Sequence, residues 1–462
     1  MTEAFDAIVV GAGQAGPALA GRLTAAGQSV ALIERDRIGG TCVNTGCTPT
    51  KAMVASAYAA HLARRGGEYG VSTGPVTVDL AQVVRRAQSI ATASRERNEK
   101  WLGGMEGLTL IHGDARFTAP GTIAVGGRTL TAPRIFLNVG GRPARPDMPG
   151  IDEVTTLDNA SLLSLEELPR HLVVVGGSYI GLEFAQMFRR FGAQVTIVEM
   201  GPRLIAREDE DVSEEIRDLL EDEGITVRTS ATCISFASRP DGIAVRVDCT
   251  HGDPEVVGSH VLLAVGRKPN TDTLGLDVAG VEVDERGYIK VDERLQTTAP
   301  GVWALGDCNG RGAFTHTAWN DFEIVAANLL DGEDRRVSQR IAGYALYIDP
   351  PLGRVGMTVA QARASGRALL VSTRPMSRVA RAIEKGETRG LMKVVADAQT
   401  RRILGAAILG TGGDEAIHGI LDMMSAGQTL DALRWAVPIH PTVSELIPTV
   451  LLDLKPDGDR PA

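Results

Sequence analysis

The sequence is poor in cysteine, in clusters of basic residues and in long apolar runs, and each shortage excludes something. Five cysteines in 462 residues are too few for a structural disulfide framework. No lysine- and arginine-rich run interrupts a chain of formal net charge −9, which disfavours nucleic acid or an anionic membrane as a partner. The opening Met-Thr-Glu-Ala-Phe-Asp lacks a basic flank, and the apolar run Ala7–Val10 leads straight into glycines. Neither a signal peptide nor a membrane span is expected there. Low-complexity tracts and long linkers are missing too. What is present is an ordinary apolar fraction of 44 % and 53 glycines, which point to many tight turns. The length suits about two to four domains with substantial cores, and cytoplasmic is the expected location.

The stretch Gly39-Gly40-Thr41-Cys42-Val43-Asn44-Thr45-Gly46-Cys47-Thr48-Pro49-Thr50-Lys51 holds two of the five cysteines. On a regular helix five steps separate Cα atoms by about 7.5 Å along the axis, beyond the roughly 4.4–6.8 Å that a disulfide spans. A bond between Cys42 and Cys47 therefore needs a compacted chain, for which Gly46 supplies the freedom. Thr48-Pro49 reads as an N-cap and first helical residue of a helix running towards Ala60. Cys47 then sits at a helix N-terminus, where the dipole and free N–H groups favour a thiolate. A metal half-site or two buried thiols also fit this spacing. Zinc sites, however, usually supply a second cysteine pair, and Cys233, Cys249 and Cys308 are scattered.

A glycine-rich turn recurs. The strand Ala7–Val10 enters Gly11-Ala12-Gly13-Gln14-Ala15-Gly16, a helix follows through Leu23, and a second strand from Val30 ends at Glu34. This is a complete strand–GxGxxG–helix–strand–acid unit, whose glycines admit a pyrophosphate and whose carboxylate meets an adenosine ribose. The strand Leu172–Val175 then enters Gly176-Gly177-Ser178-Tyr179-Ile180-Gly181, and Val195–Val198 ends at Glu199. Gly11 and Gly176, Gly16 and Gly181, Glu34 and Glu199 are each 165 positions apart. Each unit closes on a similar segment, one ending Asn138-Val139-Gly140-Gly141-Arg142 and the other Ala264-Val265-Gly266-Arg267. Two dinucleotide sites imply hydride traffic between two cofactors. Ser178 replaces the second glycine of the second turn, which loosens that site slightly. Glu199 favours NADH over NADPH, a preference that Arg203 and Arg207 soften.

Further on, Trp303-Ala304-Leu305-Gly306-Asp307 places an Asp at a strand end, suited to a ribityl hydroxyl or to a plain Asx-turn. His316 follows it closely. After Ile341 and Asp349-Pro350-Pro351 the chain changes character, with strands at Leu369–Thr373, Gly390–Val395 and Ile403–Ile408 and a helix at Asp414–Ser425. Near the end, His440-Pro441 precedes Glu445, a spacing at which a carboxylate can orient one imidazole nitrogen and leave the other free. Other features take plainer readings. Met423-Met424 reads as core packing, the acidic run Glu208–Asp211 as a solvated helix start, and Cys233, Cys249 and Cys308 as unpaired structural thiols.

Taken together, the two dinucleotide units, the Cys42–Cys47 frame, Gly306-Asp307 and His440…Glu445 resemble the flavoprotein disulfide reductases. That family includes dihydrolipoamide dehydrogenase, glutathione reductase and mercuric reductase. The resemblance implies an α/β fold with two Rossmann-like three-layer domains, binding FAD and NAD, and an α+β C-terminal dimerisation domain. The expected boundaries are 1–148 and 273–338 for the two parts of the FAD domain, 149–272 for the NAD(P) domain and 339–462 for the last. FAD is expected on Gly11, Gly13, Gly16, Glu34, Gly40, Thr41, Gly140, Gly306 and Asp307. NAD(H), with NADP(H) less favoured, is expected on Gly176, Gly181, Glu199 and Gly266. Lys51 and Glu183 correspond to the family's ion pair beside the flavin. The implied route takes electrons from NADH through FAD to the Cys42–Cys47 disulfide and a small disulfide substrate. Cys42 is then the interchange thiol and Cys47 the sulfur nearer the flavin, with His440 and Glu445 of the partner subunit moving the proton. No resident metal is implied.

The acceptor itself is less defined. Cys-Val-Asn is shared with mercuric reductases, yet no cysteine follows Cys308, so the C-terminal pair of those enzymes is absent. Thr48 and Thr50 replace residues of the Ile-Pro-Ser that dihydrolipoamide dehydrogenases carry after the second cysteine. A lipoamide-like or other low-molecular-weight disulfide ranks first, quinone or metal-ion reduction second. A reading of another class is a redox-sensing flavoprotein subunit, against which the complete His440–Glu445 pair argues.

Overall fold

The structure is a computed structural model and describes residues 2–248 and 254–458; Cys249 lies outside the described residues. Its centre is a five-stranded parallel sheet in the order Val302–Ala304, Ile135–Leu137, Ala7–Val10, Val30–Glu34, Leu108–His112. Parallel strands need crossovers, which put helices or loops on both faces, so such strands are apolar throughout. Ala7 and Val9 enter one core and Ile8 and Val10 the other, as a period of two dictates. A second parallel sheet repeats the plan with Thr226–Arg228, Gln194–Val198, His171–Val175 and His260–Leu263. Here Leu172 and Val174 face one core and Val173 and Val175 the other. The closing segments pair with each other as an antiparallel ribbon, Gly141–Pro143 against Arg267–Pro269, which ties the two units together.

The C-terminal part is a six-stranded sheet, Gly343–Leu346, Leu352–Gly356, Ile403–Leu409, Leu391–Asp397, Leu369–Pro375 and Lys455–Pro456, antiparallel throughout. The helix Gly413–Ser425 covers it, with Ala416, Ile417 and Ile420 buried. Met424 packs partly buried against that core. No helix among the described residues is long and apolar enough to cross a membrane.

Three sequence expectations are corrected. The helix after the cysteine frame starts at Cys47, with Gly46 as N-cap, rather than at Pro49. A proline is tolerated anywhere in a first turn, because none of those N–H groups has an intrahelical partner, so Pro49 marks the turn without fixing its first residue. Cys233 is exposed, with a positive φ, and only Cys308 among the later described cysteines is buried. The acidic run does start a helix, Glu210–Asp222, but it is not solvated. Glu208 is 2 % exposed and pairs with the equally buried Arg354, while Lys393 reaches Asp211 and lies 3.6 Å from Asp209. These cations come from the C-terminal sheet. The run is therefore an interdomain ion network.

Candidate active site

Both glycine-rich turns and the cysteine frame open onto one cleft of about 1900 Å³. The turns are built alike down to single hydrogen bonds. Glu34 accepts from the N–H groups of Ala12 (2.7 Å) and Asp36 (2.9 Å). Glu199 accepts from Gly177 and Gly201, both at 2.6 Å, so these partners too repeat at the 165-residue offset. Each carboxylate is thereby fixed at its strand end on the cleft wall. Gly16 and Gly181 let each helix start against its own turn; a Cβ at either would lie 2.1 Å from the carbonyl oxygen of Gly11 or Gly176. Gly140 and Gly266 have positive φ and no atom within 4 Å of a Cβ position, leaving open space along the cleft. Two cradles, each closed by a clamped carboxylate, fit two dinucleotides. Gly13, Gly40, Thr41, Gly306 and Asp307 line the same cleft. Burial pushes the Asp307 carboxyl up, and Arg267, at 3.7 Å, pulls it back.

The cysteine frame folds as the short helix Gly40–Asn44, a break at Thr45–Gly46, and the helix Cys47–Arg64. The break is tight, since a Cβ on Gly46 would lie 2.8 Å from the Thr41 carbonyl oxygen. It brings the free thiols of Cys42 and Cys47 close enough for each to shift the other's acidity. Their acidities split. Cys47 falls to about 6, because the Cys42 hydrogen bond, Thr315 and Lys51 outweigh burial. Cys42 is pushed up, first by that same hydrogen bond and then by burial. Cys47 is thus the thiolate at neutral pH and Cys42 the donor. In the reduced protein, the 240-nm absorbance difference between wild type and Cys47→Ser is expected to rise with a midpoint near pH 6. A midpoint near the ordinary thiol value would exclude this split.

Lys51 Nζ donates to Glu183 Oε2 at 2.8 Å, Glu183 Oε1 accepts from the Tyr347 N–H at 3.0 Å, and the ammonium lies 4.6 Å from the Tyr347 ring centroid. His440 Nδ1 and Glu445 Oε2 are 2.7 Å apart. That pair is not brought to the cysteines within one chain. Neither residue lines the cleft, and the His440 side chain is 74 % exposed beside the exposed Trp435, Val437 and Ile439. Ser178 is exposed on the cleft wall and makes no side-chain cap bond. Arg203 turns to the Ala206 carbonyl, while Arg207 lines the cleft with its guanidinium 5.3 Å from the Tyr179 ring centroid. His316 borders the cleft too, its ring stacked on Phe314 and its Nε2 2.8 Å from the Gly343 carbonyl.

Two contacts lie beyond sequence reasoning. Thr315 Oγ1 is 3.3 Å from Cys47 Sγ, and the only signal for it was its place at a helix start after Gly306-Asp307. Tyr347 gave no signal at all.

A dithiol between two dinucleotide cradles defines a two-cofactor thiol–disulfide reductase. Residues 5–321 match the family model described as pyridine nucleotide-disulphide oxidoreductase, and residues 343–451 match its dimerisation domain. The Escherichia coli (strain K12) protein described as probable pyridine nucleotide-disulfide oxidoreductase RclA is 36 % identical over 96 % of this chain and 97 % of its own. A mercuric reductase of Bacillus cereus is 33 % identical over 99 % of this chain and 72 % of its own. A dihydrolipoyl dehydrogenase of Thermus scotoductus is 33 % identical over 96 % of both. A solved Cu(II) complex of the HOCl-induced flavoprotein disulfide reductase RclA from Escherichia coli superposes with a TM-score of 0.88 at 35 % identity, covering 98 % of this chain and 99 % of that one. The chain belongs to the pyridine nucleotide-disulphide oxidoreductases. It is an FAD-dependent oxidoreductase of that family, working with NAD(H).

Proposed function

We propose that the protein passes electrons from NADH to a small disulfide by way of the Cys42–Cys47 pair. The observation that supports this most is the placing of two free, neighbouring thiols in the wall of the cleft that both glycine-rich turns line, with Cys47 made the more acidic of the two. FAD along the first turn supplies the two-electron exchange between nicotinamide and sulfur. Gly11, Gly13, Gly16, Glu34, Gly40, Thr41, Gly140, Gly306 and Asp307 hold it, and Gly176, Gly181, Glu199 and Gly266 hold the nicotinamide dinucleotide. Lys51, held in place by Glu183, sets its ammonium charge near Cys47 and helps to lower that thiol.

Once the pair is reduced, Cys42 gives up its proton and its sulfur attacks the acceptor disulfide. The acceptor S–S bond breaks, a mixed disulfide forms and one thiolate leaves. Cys47 then attacks Cys42, the second thiolate leaves and the intrachain bond is restored, so two electrons have moved. The departing thiolates take up two protons: one is the Cys42 proton, and the other comes from solvent, because Cys47 enters as a thiolate. His440 of the partner subunit takes the proton of Cys42 and returns it, with Glu445 fixing the ring through Nδ1. The isolated, exposed position of this pair is what favours a homodimer. His440→Gln is expected to slow disulfide reduction by about 10²–10⁴ and to leave NADH oxidation by a soluble quinone within two-fold; equal loss of both would remove His440 from the thiol step.

A second acceptor class is favoured by one observation. Two of the related RclA structures are Cu(II) complexes, one of them of a cysteine-to-serine mutant. Among the described residues no group of three or more His, Cys, Asp or Glu could hold a metal; copper enters this reading as a substrate of the dithiol. NADH consumption with lipoamide, oxidised glutathione, a soluble quinone, Cu(II) and Hg(II) decides between these classes. A disulfide turned over faster than the rest supports the first reading; turnover of metal ions alone replaces it.

A further inference from the structure

The buried charge at the acidic run takes no part in the thiol chemistry, yet a chain of contacts leads from it into the cleft. Glu208 accepts hydrogen bonds from Arg354 Nε (3.0 Å) and from the Tyr344 hydroxyl. Burial and the Glu208 carboxylate push the Tyr344 phenol far up, so the hydroxyl stays protonated and donates. Its ring meets the Tyr179 ring edge-on at 5.3 Å and stacks on Phe314 at 5.8 Å. Phe314 also meets Tyr179, edge-on at 5.9 Å.

The three rings join two places that matter. Tyr179 follows Ser178 of the second turn and lines the cleft. Phe314 precedes Thr315, whose hydroxyl lies 3.3 Å from Cys47 Sγ. A dinucleotide on the second turn, its ribose end at Glu199, would run along the cleft wall past Tyr179 towards the flavin site on the first turn. The buried Tyr179 hydroxyl has no hydrogen-bond partner of ordinary length among the described residues. Its ring is held by neighbours instead: Tyr344, Phe314 and the Arg207 guanidinium.

We propose that Tyr344, anchored through Glu208 to Arg354, is a positioning residue that holds Tyr179 to receive the nicotinamide ring and does not act on the ADP-ribose part. This rests on the assignment of the nicotinamide dinucleotide to the second turn. An edge-on aromatic contact is worth about two- to ten-fold in an equilibrium constant, and Tyr344 supplies one of the two that Tyr179 has.

Calorimetric titration of the FAD-loaded protein with NAD+ and, separately, with ADP-ribose tests it. Tyr344→Leu is expected to weaken NAD+ about ten-fold and ADP-ribose by less than two-fold. Tyr344→Phe keeps the ring but loses its anchor, and is expected to restore most of the NAD+ affinity, to within about three-fold of wild type. Equal weakening of both ligands, or no change in either, overturns the proposal. Wild type that fails to bind ADP-ribose overturns the assignment of the second turn, a separate failure. Should the leucine variant not fold, the phenylalanine variant decides: a weakening confined to NAD+ supports the proposal, and anything else overturns it.

Discussion

Cys42→Ser is expected to lower NADH-driven reduction of a small disulfide by about 10³-fold or more, as removal of a nucleophile does elsewhere. A serine hydroxyl neither attacks a disulfide at neutral pH nor forms a reducible bond to Cys47. The loss should reside in turnover and not in nicotinamide affinity, because Cys42 belongs to the frame on the first turn's side and the second turn is untouched. A soluble quinone or a metal ion separates the routes. An acceptor that needs the thiols loses its turnover in the variant, and one served without them keeps it.

Arg354→Met is expected to have the largest effect on stability. The Arg354 side chain is 2 % exposed and that of Glu208 is 0 %, and removing one partner strands a buried charge. Such a loss costs about 3–5 kcal/mol, which for a chain of this size corresponds to a fall of roughly 3–5 °C in thermal midpoint. Buried ion pairs are expensive to form, so replacing both partners by apolar groups of similar volume should recover much of the loss. Arg354→Met with Glu208→Leu should therefore melt above Arg354→Met alone. If both proteins melt like wild type, the network carries no stability.

What could be read from the sequence was whatever is local or repeated. The strand–turn–helix–strand–acid units announce themselves within about 25 residues each, and the hydrogen-bonded clamps on Glu34 and Glu199 keep their 165-residue offset because the two folds are the same. The His440–Glu445 contact was legible because only four residues, Pro441 among them, separate the two groups. The acidic run misled because burial is a tertiary property. Its cations, Arg354 and Lys393, lie far along the chain in another sheet, and nothing local shows that Glu208 and Asp209 are buried while Glu210 is exposed. The same holds for Thr315 and Tyr347, which reach Cys47 and Lys51 from far along the chain.

The central claim is that electrons from NADH reach Cys42 and Cys47. One equivalent of NADH added anaerobically to the oxidised protein, followed by an acid quench, alkylation and peptide mapping, tests it directly. The account predicts that the Cys42–Cys47 bond is present before NADH and that both residues are alkylated after it, with Cys233 and Cys308 unchanged. A pair that is already alkylated without NADH, or that remains bonded after it, would contradict the account.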